Sequence, residues 1–383
     1  MTDESPRRNA GIDALRGIAI LLVVVHHLQL RIPLEDSASM SWVPGRILYG
    51  LTQHGYEAVY LFFVVSGFLI ASRSLSMWGG LRHVDLRGFY VRRLARIGPC
   101  LVALLVALCA LHWMHIQHYM ITKSQQSLGR AVLSVLGLHL NWYEAQTGYL
   151  PASWDVLWSL SIEEAFYLGF PIACLLLRGE ARLAVVAALW ALALPWLHGA
   201  NAGNAIWSQK AYLPGMAAIA TGVLGALLVR RLPLPPRWAT RAFALVGGAG
   251  FSVVVFADDL LWAWVKEGGM LVLTASALAM TLGFAWTQGR GQSRFRGTGL
   301  LQWFGRRSYE IYLTHVFVVF AFVDAWNAWQ PSDRLLLAWY ALAVAGCAIL
   351  GHAVDRWLSR PANAWLRRRL GRAGYDPGAK EVP

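Results

Sequence analysis

Ten apolar stretches recur along this chain, each of roughly the 17 to 25 residues that carry an α-helix across a bilayer. They lie at 12–30, 56–76, 97–117, 154–177, 181–198, 211–229, 240–257, 265–287, 308–326 and 335–354. Lipid offers no partners for backbone polar groups, so stretches of this length must satisfy their own as helices. Of the 383 residues, 57% are hydrophobic and 14% charged, where a soluble domain carries about a quarter charged. The mean hydropathy is +0.45. The chain therefore reads as an all-α polytopic membrane protein. Residues 1–373 are expected to form one membrane domain and 374–383 a short cytoplasmic tail.

A further apolar piece, AVLSVLGLHLNW at 131–142, is short for a crossing, and the loop charges decide its treatment. With a cytoplasmic N-terminus and 131–142 held outside, 26 of the 34 Lys and Arg fall in inside segments and 7 in outside loops, Arg16 lying within the first span. That is the positive-inside pattern. A crossing at 131–142 would swap the side of every later loop and erase the bias. The expectation is about ten transmembrane helices plus one short re-entrant or surface helix, with both termini cytoplasmic. The net charge of +13 is then anchoring rather than a nucleic-acid footprint, and no nucleic-acid partner is expected. Cys100, Cys109, Cys174 and Cys347 lie in apolar runs without CxxC spacing, which implies neither a metal site nor a disulfide framework. Arg16 interrupts the first run and no small-residue cleavage site follows, so a cleavable signal peptide is not expected. No internal repeat is visible.

Ionisable groups inside spans are expensive and mark candidate sites. In GIDALRGIAILLVVVHHLQL, residues 11–30, Asp13 and Arg16 stand near one end, and His26 and His27 near the other. Arg16 and His27 are eleven residues apart, so at 100° per residue they lie within about 20° of one face, roughly 16 Å apart along the axis. His26 points about 100° away. Read alone, the pair is equally an interfacial anchor plus a satisfied histidine.

Four other stretches share this ambiguity. In LFFVVSGFLI, 61–70, Ser66 and Gly67 suit close helix packing, with a nucleophilic serine the lesser reading. RGFYVRRLARIGP, 87–99, puts Arg92, Arg93 and Arg96 just before a span whose start Pro99 marks. Such a cluster anchors the inner surface or grips phosphate through charge-assisted, bidentate bonds. In WDVLWSLSIEEAFY, 154–167, Trp158 belongs to an aromatic entry, while Glu163 and Glu164 sit inside the span and need a cation or a proton. His27 approaches from the same side, which makes a His27–Glu163 contact the expected one. In GRRSYEIYLTH, 305–315, Ser308 and His315 are seven apart and share a face, with Tyr309 and Glu310 beside them.

In order and spacing, these pieces resemble the acyltransferase-3 family of integral membrane acyltransferases, over residues 11 to about 361. The resemblance implies a ten-helix fold that transfers an acyl group, often acetyl, from cytoplasmic acyl-CoA to a hydroxyl. The acceptors are extracytoplasmic or lipid-linked carbohydrates, or in some relatives small natural products. The family's arginine and histidine of the first helix correspond to Arg16 and His27, its arginine cluster to Arg92, Arg93 and Arg96, and its glutamate to Glu163. The chain departs from the family pattern at Gly98, at Thr314–His315 and at Ser359–Arg360–Pro361.

The implied member is stand-alone, without a fused esterase-like domain, in a bacterial cytoplasmic (inner) membrane. Its expected partners are the bilayer, a glycan acceptor, and a second copy or polysaccharide-assembly proteins; no metal is expected. On this reading His27, Arg16 and Glu163 are catalytic, with His27 the base and Glu163 fixing its tautomer. Arg92, Arg93 and Arg96 hold the acyl-CoA phosphates, and a relay through an acyl-histidine is the variant. Asp13, Ser66, Trp158, Glu164, Tyr309 and His315 are further candidates. The rival class is a proton-coupled transporter or flippase of a glycolipid-type substrate, against which the lack of a repeat counts mildly.

Overall fold

A computed structural model describes residues 8–34, 37, 40–200, 203–291 and 297–372. The expected tail, 374–383, lies outside the described residues. Among those described, the secondary structure is helical and no strand occurs. Nine helical segments among the described residues are long and apolar enough to cross a membrane. The site depends on thirteen helices. The first six are α1 (Ala10–Gln29), α2 (Gly55–Trp78), α3 (Leu86–Trp113), α4 (Trp158–Leu177), α5 (Glu180–Leu192) and α6 (Leu194–Gly199). Then come α7 (Tyr212–Arg231), α8 (Arg237–Phe256), α9 (Gly269–Gly289) and α10 (Gly299–Arg306). The last are α11 (Ser308–Trp329), α12 (Leu336–Val354) and α13 (Arg360–Arg372).

Two expectations change in detail. The stretch 181–198 is not one continuous helix but α5 and α6, broken at Ala193. Pro195 in the first turn of α6 explains the break: it has no N–H to donate, and its ring clashes with the carbonyl four residues back. The third span begins well before Pro99. Asp85 caps α3, accepting from the backbone N–H of Arg87 at 3.1 Å and Gly88 at 2.9 Å, and the helix runs through Pro99 to Trp113. Membrane helices tolerate such a proline because neighbours re-satisfy the freed carbonyl. Arg92, Arg93 and Arg96 are therefore helix-interior residues with fixed directions. The apolar piece at 131–142 is divided between the short helices Leu128–Leu136 and Leu140–Thr147, with Leu138 at a positive φ of 56° between them.

The bundle core is held at glycine contacts. A Cβ at Gly17 of α1 would strike the Leu301 carbonyl of α10, and one at Gly305 would strike the Asp13 carbonyl. Gly67 of α2 and Gly222 of α7 make the same mutual approach, to the Ile219 and Val64 carbonyls. Close backbone approach of this kind is how membrane helices gain van der Waals contact without a hydrophobic driving force. Gly222→Val should lower the thermal stability of the detergent-solubilised protein, since overpacking costs about 1–3 kcal/mol. A melting curve like that of the unmodified chain would count against this contact.

α1 and α11 run parallel. Arg16 meets Ser308 near their N-terminal ends, and His27 meets His315 further along. α2 runs antiparallel to α1, with Gly55 at its start packed against the His26 ring.

Candidate active site

A cavity of about 560 Å³ lies among α1, α2, α3, α4 and α11, within the size range of small-molecule sites. Seven arginines line it (Arg8, Arg16, Arg73, Arg93, Arg96, Arg306 and Arg360) against two acids, Glu163 and Asp355. Arg8, at the described N-terminal end, and Arg360, at the start of α13, share this lining at the arginine-rich end of the cavity. Phe62, Ser159, Tyr312 and Leu313 line its other, deep end, toward the first turns of α2 and α4 and away from Arg73.

The arginines are not equivalent. Arg93 of α3 donates to Glu164 Oε1 at 3.0 and 3.2 Å and to Glu163 Oε1 at 3.2 Å, and its guanidinium lies 3.5 Å from the centre of the Tyr167 ring. Arg96 pairs with the fully buried Glu310 at 3.1 Å and packs over Tyr309 at 5.4 Å. Arg360 pairs with Asp355 at 2.7 Å, and Arg8 with Asp13 at 3.4 Å. Among the described residues, Arg16, Arg73 and Arg306 form no ion pair. Arg16 instead donates to Ser308 Oγ at 2.9 Å. The cavity therefore carries a net positive charge that its own acids do not neutralise, which suits a polyanion.

Glu163 is built into a polar knot of three helices. Its Oε1 accepts from Ser66 Oγ on α2, from Tyr167 Oη one turn along α4 at 2.5 Å, and from Arg93 on α3. The Ser66 and Tyr167 hydroxyls are themselves 2.5 Å apart. Ser66 thus faces Glu163 while its neighbour Gly67 supplies the packing contact. The expected His27–Glu163 contact is corrected: Glu163 Oε1 takes its hydrogen bonds from Ser66, Tyr167 and Arg93 in the arginine cavity, which His27 does not line.

His27 Nδ1 lies 2.8 Å from the Val23 carbonyl, one turn back on α1. A carbonyl only accepts, so Nδ1 carries the proton and Nε2 the lone pair. His26 turns away to the Thr52 carbonyl at 3.1 Å. His315 meets His27 edge to face, with ring centroids 4.8 Å apart.

Arg92 is exposed and lines no part of the cavity. At 100° per residue, Arg93 and Arg96 bracket the cavity-facing side of α3 and leave Arg92 at its outer edge. Trp158 stacks on Tyr56 at 6.0 Å and meets Phe63 at 6.2 Å, a packing position. Tyr309 lines the cavity and donates to the Ile97 carbonyl at 2.9 Å. Sequence reasoning did not single out Arg73, Arg306, Ser159, Tyr312 or Asp355, and noted Arg360 only within the divergent Ser359–Arg360–Pro361. Their only sequence signal was a polar residue at the end of a span or, for Tyr312, one helical turn before His315.

On the opposite side of the bundle, Lys210 donates to Glu144 Oε2 at 2.8 Å and to Asp155, tying three short outer helices together. Burial pushes the Glu144 carboxyl up, Asp155 adds to the shift, and the Lys210 ammonium opposes it.

The model of the acyltransferase-3 family, described as an acyltransferase domain, matches residues 9–354. The chain belongs to the acyltransferase-3 family. Among curated relatives it is similar to the O-acetyltransferase OatA of Staphylococcus aureus (strain NCTC 8325 / PS 47), at 23% identity over 93% of this chain and 57% of that protein. It is also similar to "Putative peptidoglycan O-acetyltransferase YrhL" of Bacillus subtilis (strain 168), at 26% identity over 81% of this chain and 48% of that protein. The chain thus spans about half the length of the curated relatives it matches. No solved structure matches it. The family model covers the segments that carry Arg16, His27, Arg93, Glu163 and His315, so the histidine pair and all of the cavity lining but Arg8, Asp355 and Arg360 lie in the matched region.

Proposed function

We propose that this chain is a membrane O-acyltransferase of the bacterial cytoplasmic membrane, with acetyl the favoured group. It would move the acyl group from cytoplasmic acyl-CoA to a hydroxyl of an extracytoplasmic or lipid-linked carbohydrate. The observation that supports this reading best is the arginine cavity with three uncompensated guanidinium groups and a histidine pair beyond its deep end. A phosphate-rich donor fits the first feature, and a base for an alcohol fits the second. The loop-charge bias supports a cytoplasmic position for the arginine-lined mouth, the side on which acyl-CoA is available. The names of the relatives favour O-acetylation of a glycan.

On this reading Arg73 and Arg306 take donor phosphates, joined by Arg96 from its pair with Glu310. Arg16, steered by Ser308, orients the thioester end. Arg93 instead holds Glu163 and Glu164 in place, so Glu163 shapes the cavity wall rather than the histidine. His27 removes the acceptor proton at Nε2 as the acceptor oxygen attacks the thioester carbonyl and the thiolate leaves. The backbone carbonyl of Val23 fixes the tautomer that this requires.

Purified protein in nanodiscs, given labelled acetyl-CoA and membrane-extracted glycan, should release CoA and transfer label. Arg306→Gln should raise the KM for acetyl-CoA about tenfold, the scale of losing one charge-assisted bond, with a smaller change in kcat. An unchanged donor KM would remove Arg306 from the donor site, and no CoA release at all would overturn the reading.

A further inference from the structure

We propose that His315 is a positioning residue that shares the proton taken up by His27 and passes it back toward the donor chamber. This rests on the reading of His27 as the base. His315 is fully buried, and its Nδ1 lies 2.6 Å from the Tyr312 carbonyl, which makes Nδ1 the donor and leaves the lone pair on Nε2. That Nε2 has no hydrogen-bond partner among the described residues. Buried acceptors are rarely left unused, and an orphan of this kind calls for an explanation. The closest ring to it is His27, in edge-to-face contact at 4.8 Å and 76°, whose Nε2 is also the lone-pair nitrogen.

Among the described residues, the other groups around the pair are engaged elsewhere, the Cys347 thiol lying 3.8 Å from the His315 backbone carbonyl. Arg31 donates to the His27 carbonyl at 2.7 Å, His26 stands 5.7 Å from His27, and the Tyr312 ring lies 5.8 Å from His315. Asp155 lies beyond Tyr312, whose hydroxyl donates to the Val156 carbonyl at 2.9 Å and is 2.7 Å from Ser159 Oγ. No carboxylate hydrogen-bonds either histidine among the described residues. The part that a carboxylate commonly plays beside a catalytic histidine falls here to a second imidazole.

Position gives the pair a direction. Tyr312 walls the deep end of the cavity, and its backbone carbonyl holds His315, so His315 is the histidine tied to the donor side. The acceptor O–H bond breaks and its proton goes to His27 Nε2, while the new O–C bond forms and the C–S bond breaks. The proton is then shared with His315 Nε2, directly or through one water, and ends on the thiolate sulfur. The sum is alcohol plus thioester to ester plus thiol.

The test uses inverted membrane vesicles of the source organism in which each variant replaces the native chain. Labelled acetyl-CoA is the donor and the vesicle's own glycan the acceptor. His315→Phe should lower the saturating rate about 10- to 100-fold, within the range of a lost proton-transfer aid, with the KM for acetyl-CoA within about twofold. In mixtures of light and heavy water, the rate of the native chain should curve with deuterium fraction, as two moving protons require, and that of His315→Phe should fall on a straight line. His315→Gln keeps polarity and approximate size but cannot accept and return the proton, and should match His315→Phe. It also serves should the phenylalanine variant fail to accumulate. A rate near that of the native chain, a loss with the curvature retained, or a loss expressed as KM would each overturn the proposal. His27→Ala separates the two readings. Activity in that variant sinks the base assignment itself, whereas an inactive His27→Ala beside a fully active His315 variant sinks this proposal alone.

Discussion

His27→Ala should abolish acyl transfer while leaving the bundle folded. The loss expected for a general base is about 10²- to 10⁴-fold in kcat, because among the described residues the unpaired nitrogen beside it is that of His315, which is fully buried. The fold should survive because, among the described residues, the His27 side chain hydrogen-bonds only to its own helix, at Val23. His26→Ala is the control: its ring serves the contact with Thr52 and Gly55, so it should cost some stability and little rate. Release of labelled CoA in single turnover, with gel filtration to confirm the fold, measures both. Equal rates in the native chain and His27→Ala would remove His27 from the chemistry.

Arg93→Ala should act through the fold as strongly as His27→Ala acts through the chemistry. Arg93 neutralises two adjacent carboxylates in a partly buried site, and its guanidinium covers the Tyr167 ring. Removing one partner of such a pair leaves charge without compensation, a loss of about 3 kcal/mol or more. Lysine should recover part of the charge term but not the forked hydrogen bonds or the stacking. The sharper check is the triple change Arg93→Met, Glu163→Gln, Glu164→Gln. Taking away both sides of the pair should recover most of the thermal stability in detergent, because the main cost of Arg93→Ala is the unpaired acids. If Arg93→Ala melts with the native chain, the knot contributes nothing to the fold.

The two residues illustrate how unevenly the site could be read in advance. Angles within one helix are local properties, so the separation of His26 from His27 and the shared face of Ser308 and His315 followed from 100° per residue. The structure turns His26 to Thr52 and His27 to His315, and it aligns Ser308 with Arg16 on the parallel helix. Arg92 was less accessible to this reasoning, because treating Pro99 as a helix start removed the directions of the three arginines. Once α3 runs through the proline, Arg92 falls on the exposed edge. Glu163 was assigned to the wrong partner for a different reason. Membrane depth alone makes His27 and Arg93 both reachable, and nothing in the order of residues ranks them.

What the sequence determined by itself is the class of the fold, the position of nearly every crossing and the polar residues that no lipid-facing helix would keep. These follow from the length of apolar runs, from the charge of the loops and from helical periodicity, all of which act over a few turns. What only the tertiary structure decided is which side chains meet. Glycines 17, 67, 222 and 305 set how closely and at what rotation neighbouring helices pack. That rotation sends Arg93 to the glutamates, leaves Arg73 and Arg306 in the cavity without an ion pair among the described residues, and brings His27 against His315. A helix rotated by one residue keeps its hydrophobic pattern nearly intact and changes every one of these contacts.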